Sequence, residues 1–131
     1  MDEKSKEVLR QKIVSVLEKI FDPEIPIDIW NLGLIYGIDI SDEGIVNITM
    51  TLTAIGCPVA TSLPYQVYET LVKEVPEAKE INIDVVFDPP WTPLRMTEKG
   101  RRMFIEMYGY DIVEQWRRRM GETREESSAS Q

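Results

Sequence analysis

Two short runs of alternating β-rich residues, separated by a single turn, restrict this chain more than any other feature. Ile35 to Ile40 and Ile45 to Thr53 flank Ser41-Asp42-Glu43-Gly44, the signature of a hairpin. In the second run Ile45, Asn47, Thr49, Thr51 and Thr53 alternate with Val46, Ile48, Met50 and Leu52, so one face is apolar and the other largely polar. A sheet with one apolar face must bury it against another layer, and helical patterns stand on both sides of the hairpin. Val8, Ile13, Val14, Val16, Leu17, Ile20 and Phe21 recur at helical spacing and predict an amphipathic helix from about residue 5 to 21. Asp22-Pro23 is expected to stop it, because a residue before proline is pushed out of the α region. The proline-containing stretch from Asp22 to Leu34 reads as an ordered, partly buried loop.

Beyond the hairpin, Pro58 to Val75 reads as a second helix with Val67, Leu71, Val72 and Val75 turned inward. Pro64 inside it predicts either a kink or a main helix that starts near Ser62. Ile81 to Phe87 alternates as a third strand, and a strand-helix-strand crossover would set it parallel to the second. Pro89, Pro90 and Pro93 then force an extended segment, in which Trp91 either anchors the chain to the core or covers the cysteine. Thr97 can cap a helix over residues 98 to 108, with Gly100 a mild weakness in it. A further helix is expected from about Asp111 to Met120, and the polar segment 121 to 131 reads as a disordered tail. The order α-β-β-α-β predicts an α+β fold, a two-layer domain over residues 1 to 110 with helices on one face of a short mixed sheet, followed by a C-terminal helical extension.

Composition removes whole classes of function. A length of 131 residues with 43% hydrophobic content suits one domain with a real core. The formal charge of −8 repels phosphate backbones, so nucleic acid is not an expected partner, and the run Arg117-Arg118-Arg119 reads first as a helix-end charge cluster. With no histidine, Ser-His-Asp and Cys-His catalysis and imidazole metal ligation are excluded. One cysteine cannot close an intramolecular disulfide, no signal segment opens the chain, and no apolar run is long enough for a bilayer; the expected location is the cytoplasm.

That cysteine, Cys57, stands in Thr51-Leu52-Thr53-Ala54-Ile55-Gly56-Cys57-Pro58, where a strand gives way to a helix. A helix N-terminus stabilises a thiolate through its unpaired N–H groups, Gly56 permits an unusual backbone turn, and Pro58 suits a first helical position. The competing reading is a buried structural cysteine acting as a small hydrophobe. The polar threonines before it could line a site or could simply face solvent on a strand.

Three motifs in order carry a resemblance: Asp22-Pro23-Glu24-Ile25-Pro26 with Asn31-Leu32-Gly33-Leu34-Ile35-Tyr36, then Thr51-Leu52-Thr53 with Gly56-Cys57-Pro58, then Pro89-Pro90-Trp91-Thr92-Pro93 ahead of Met96-Thr97. Over about residues 6 to 108 the chain resembles the SufT/PaaD-like family of iron-sulfur cluster assembly domains. Pro64 and the extension after Tyr108 depart from that family's pattern. The resemblance implies a small two-layer fold and a non-enzymatic role in maturing iron-sulfur proteins, in cluster transfer or targeting. It implies functional residues at Cys57, which would meet iron, and at Asp22, Glu24, Thr51 and Thr53. Its implied partners are cluster carriers or scaffolds and apo client proteins. A cluster is usually held by about four thiolates, so one chain cannot enclose it. The cluster would bridge two chains of a homodimer or be held only in transit. Asp22 and Glu24 would supply oxygen ligands or a hydrogen-bonded network beside the Cys57 loop. A thiol-dependent redox protein and an interaction module with a structural Cys57 remain the alternatives.

Overall fold

A computed structural model describes the backbone of residues 1–53 and 62–129 and the side chains through Gly121. Helix α1, Glu3–Leu17, starts at Asp2, whose carboxylate accepts from the Ser5 N–H at 2.8 Å. It ends before Asp22-Pro23, earlier than expected. Lys19 and Ile20 make tighter bonds back to Val16 and Leu17, and Phe21 leaves the helix to bridge Asp28. Leu9, Ile13, Val16 and Leu17 are buried, whereas Val8 and Phe21 face solvent, so the inward face is rotated slightly from the expected one.

Strands β1, Ile35–Ile40, and β2, Ile45–Met50, form the expected antiparallel hairpin. Helix α3, Leu63–Glu74, follows, and β3, Glu80–Val85, lies parallel to β2, giving the sheet order β1-β2-β3. A short helix α2, Ile29–Leu32, precedes the hairpin. Pro64 sits in the first turn of α3 after Ser62, where a missing N–H costs nothing, so the helix does start near Ser62. The part of the expected helix before Ser62 lies outside the described residues. Val67 and Leu71 are buried and Val75 caps the helix, but Val72 is exposed.

Cross-strand rows explain the layers. Ile38, Ile48 and Ile83 share one row, and Ile40, Val46 and Ile81 the next; this face packs on α1 and α3. Asp39, Asn47 and Asn82 form the row on the opposite, wetter face, where the Asn82 amide donates to Asn47 Oδ1 at 3.0 Å. β2 ends at Met50, where the Val86 N–H donates to its carbonyl at 2.8 Å; Thr51, expected on the polar face, is buried. β3 likewise stops at Val85, leaving Phe87 exposed.

Past the strap formed by Asp88 to Thr97, which includes a single 3₁₀ turn at Pro93–Arg95, come α4, Glu98–Tyr108, and α5, Ile112–Ala129. Thr97 caps α4 as its sequence predicts, accepting from the Gly100 N–H at 3.0 Å. α5 runs past Met120, so the segment expected to be a disordered tail from Gly121 has a helical backbone to Ala129. Glu and Arg, good helix formers, outweigh one glycine there. Among the described residues, no helix is long and apolar enough to cross a membrane.

Candidate functional site

The site is built where the loop after α1, the end of β2 and the strap converge. Asp22 is buried, and its carboxylate serves three donors. Oδ2 accepts from the Glu24 and Ile25 N–H groups, both at 2.9 Å, and Oδ1 accepts from the Thr53 hydroxyl at 3.3 Å. Asp22 thus closes the turn made by Pro23-Glu24 and ties it to the end of β2. The Asp22 N–H donates to the Ile27 carbonyl at 3.2 Å, and the Ile29 N–H to the Ile20 carbonyl at 2.8 Å, so the loop is cross-braced at its neck. Glu24 lies at its exposed tip. Thr51 is buried beside this brace, its N–H donating to the Leu34 carbonyl at 2.9 Å.

Of the five residues singled out by sequence, Asp22 and Thr53 are in direct contact, Thr51 is two residues from Thr53 on the same segment, and Glu24 reaches Asp22 only through its backbone. Cys57 and the expected helix N-terminus around it lie outside the described residues. With three donors already on its carboxylate, Asp22 acts as a brace for the Thr53 segment. No cluster of three or more acidic or cysteine side chains suited to a metal occurs among the described residues.

Thr53 also opens onto two adjoining cavities. One, of about 260 Å³, is lined by Thr51, Leu52, Thr53, Phe87, Pro90 and Trp91. The other, of about 310 Å³, shares Thr53 and Trp91 and adds Pro93 together with Ile112, Gln115, Trp116 and Arg119 of α5. Trp91 therefore both anchors the strap and walls the site: its indole N–H donates to the Leu32 carbonyl at 2.7 Å.

A second network, whose hydrogen bonds the sequence did not suggest, holds the strap in place. Asp28 caps α2 and accepts the Asn31 side-chain amide at 2.9 Å, and the Asn31 Oδ1 accepts from Thr97 Oγ1 at 2.6 Å. The Tyr36 hydroxyl donates to the Pro89 carbonyl at 2.8 Å, and the Arg95 guanidinium lies 4.4 Å over the Tyr36 ring. Gly33 has φ of +81°, and a Cβ there would collide with the Arg95 carbonyl; a Cβ on Gly100 would collide with the Asn31 carbonyl. Gly100 is therefore a packing requirement rather than a weakness. Asp28 before Ile29-Trp30-Asn31 was the available capping signal, but a four-residue helix has no readable period.

Comparison with known proteins places this geometry in context. Residues 10–85 match the family described as iron-sulfur cluster assembly protein. The Fe-S protein maturation auxiliary factor YitW of Bacillus subtilis is 41% identical over 95 residues, covering 72% of this chain and 92% of that protein. An iron-sulfur cluster carrier protein of Mycobacterium tuberculosis is 33% identical over 94 residues, which cover 70% of this chain but 24% of the carrier. A solved domain of unknown function from Bacillus anthracis superposes with a TM-score of 0.72 at 38% identity, covering 78% of this chain and 96% of that one.

Proposed function

Because the chain belongs to the iron-sulfur cluster assembly protein family, we propose that it is a non-enzymatic maturation factor that receives a cluster from a carrier and passes it to apo client proteins, with Cys57 as the thiolate that meets iron. The observation that carries this reading is the brace between Asp22 and Thr53: a buried carboxylate fixes the segment that leads, four residues later, to the only thiol in the chain. The similarity to an auxiliary maturation factor over nearly that protein's whole length supports the role. The match to one part of a longer cluster carrier supports a carrier as the protein it works beside.

The chemistry is ligand exchange. The Cys57 thiolate replaces one carrier thiolate at an iron, and the displaced sulfur leaves as thiolate or takes a proton. A client thiolate then displaces Cys57, with no change of oxidation state in iron or sulfide. A cluster usually needs about four thiolates, so one chain gives one ligand and the rest come from a second copy, a small thiol or the proteins on either side. The cluster is cargo here. Asp22 and Thr53 position the loop, and Glu24 at the loop tip is placed to meet a partner rather than the brace.

Anaerobic reconstitution with iron and sulfide, compared between wild type and Cys57→Ser by absorption and native mass, tests this. The expected result is a cluster that depends on Cys57 and is seen on two chains or on one chain with an added thiol. A cluster formed equally by Cys57→Ser overturns the thiolate's role, and none on either protein overturns cargo handling by this chain.

A further inference from the structure

The two edges of the sheet are finished differently. β1 is guarded: Ile38 faces Ile48 in the ladder, its outward carbonyl accepts from Arg10 Nη1 at 2.8 Å, and Glu3, Lys6 and Glu7 of α1 stand along Ile38 to Ile40. β3 has no such guard. Among the described residues its one bonded neighbour is β2. The Val86 N–H donates to the Met50 carbonyl, and alternate residues of a parallel ladder bond the same neighbour, so Asn82 and Asp84 turn their backbone groups toward β2. Ile81, Ile83 and Val85 therefore turn their N–H and C=O groups outward, and none of the described residues hydrogen-bonds them.

The side chains along this edge are also left without cover. Ile81 is buried, Ile83 and Val85 are half-buried, and Phe87, next in the same alternation, is 46% exposed. On the wet face Glu80 and Asp84 are exposed, and neither forms an ion pair with a described Lys or Arg; Glu80 accepts from the Asn82 amide at 3.1 Å. Asp88 follows, also exposed. The cations nearest in the chain do not offset these acids. Lys79 is tied to the hairpin turn, its N–H donating to the Gly44 carbonyl at 2.9 Å with its Cβ beside Gly44, and on α3, which packs against β3, Lys73 stands with Glu69 and Glu74.

We propose that the outer edge of β3 is a strand-addition site for an extended segment of a partner protein in which Lys or Arg alternates with Val or Ile. The segment's backbone bonds Ile81, Ile83 and Val85, its branched side chains cover Ile83, Val85 and Phe87, and its cations face Glu80 and Asp84. Charge selects this occupant. The acids of the edge have no cation of their own, and a second copy of the chain would add another row of the same acids beside them. A nucleic acid is repelled by the same row. The inference is independent of whether Cys57 handles a cluster.

The test uses the full chain and an acetylated, amidated heptapeptide of alternating Lys and Val. Controls are the same peptide with Glu in place of Lys, and two versions N-methylated on every Val or on every Lys, since one set of amides faces β3 and the other faces solvent. Calorimetry reads affinity at low and physiological salt, and hydrogen exchange followed by NMR reads the β3 amides. The expected result is saturable binding of the Lys peptide but not the Glu peptide, lost with one methylated version and kept with the other, and slowed exchange at Ile81, Ile83 and Val85. Affinity should fall about tenfold or more in Glu80→Lys with Asp84→Lys, exposed positions whose exchange leaves the circular dichroism unchanged. Binding kept by both methylated peptides is general attraction to an acidic chain and overturns the proposal. Affinity indifferent to the acid changes, exchange slowed elsewhere but not on β3, self-association of the chain that shuts the peptide out, or no saturable binding each overturns it as well.

Discussion

The strap from Asp88 to Thr97 faces two regions and treats them in opposite ways. Toward α2 it is closed: Trp91, Thr97 and Gly100 fit Leu32 and Asn31 so tightly that a single added carbon has no room. Toward Thr53 it is open, with cavities of about 260 and 310 Å³ sharing Thr53 and Trp91. The two sides meet in one residue, Trp91, whose N–H belongs to the closed network and whose ring belongs to the open one. The contrast teaches a division of labour. The closed side fixes the strap against α2, and the open side leaves a cavity beside Thr53.

The contrast breaks most severely at the glycines. Gly100→Ala is expected to cost about 2–3 kcal/mol, because overpacking against a backbone carbonyl has no cheap relaxation, and Gly33→Ala at least as much, since its left-handed φ adds strain. Chemical denaturation midpoints at constant slope check both. Asn31→Ala should lose about 2–3 kcal/mol by stripping a partner from the buried Asp28 carboxylate, and restoring nearly all of it in Asp28→Ala/Asn31→Ala would show that the two act as a unit.

Changes on the open side should be milder for stability and harsher for function. Thr53→Val is expected to cost about 0.5–1.5 kcal/mol while lowering client maturation in cells, and Asp22→Asn should lower it further because two backbone N–H groups also lose a charged acceptor. Maturation unaffected by Asp22→Asn in a stably folded protein would remove the brace from the account.

The smallest effect concerns the latch of α5. The hydrogen bond from Arg101 holds the Asp111 carboxyl below its ordinary value of 3.8. A depressed carboxylate contributes stability that is present above that ordinary value and is lost as pH falls through the lower folded value. Acid titration of Trp116 emission should therefore show a step that is absent in Asp111→Asn, and identical titrations would contradict the latch.

Much of the scaffold was legible because its signals are local. The hairpin, the third strand, the start of α3 near Ser62 and the Thr97 cap each depend on residues a few positions apart. Tertiary contacts defeated the rest. α1 ends early because Phe21 is drawn to Asp28, and Thr51 is buried although its place in the alternation marks it as polar-facing. Asp22 and Thr53 were singled out by the family resemblance alone, and their contact joins positions 31 residues apart, which no periodicity reveals. Gly100 read as a weakness for the same reason, since only its neighbour Asn31, far away in sequence, makes it necessary.

The most direct test of the central claim is client maturation in cells that lack the native protein, measured as the activity of an iron-sulfur enzyme after supplying wild type, Cys57→Ser or Thr53→Val at equal abundance. The account predicts restoration by wild type, little or none by Cys57→Ser, and a partial level with Thr53→Val. Full restoration by Cys57→Ser would contradict it, because the fixed segment would then be presenting a thiol that maturation does not use.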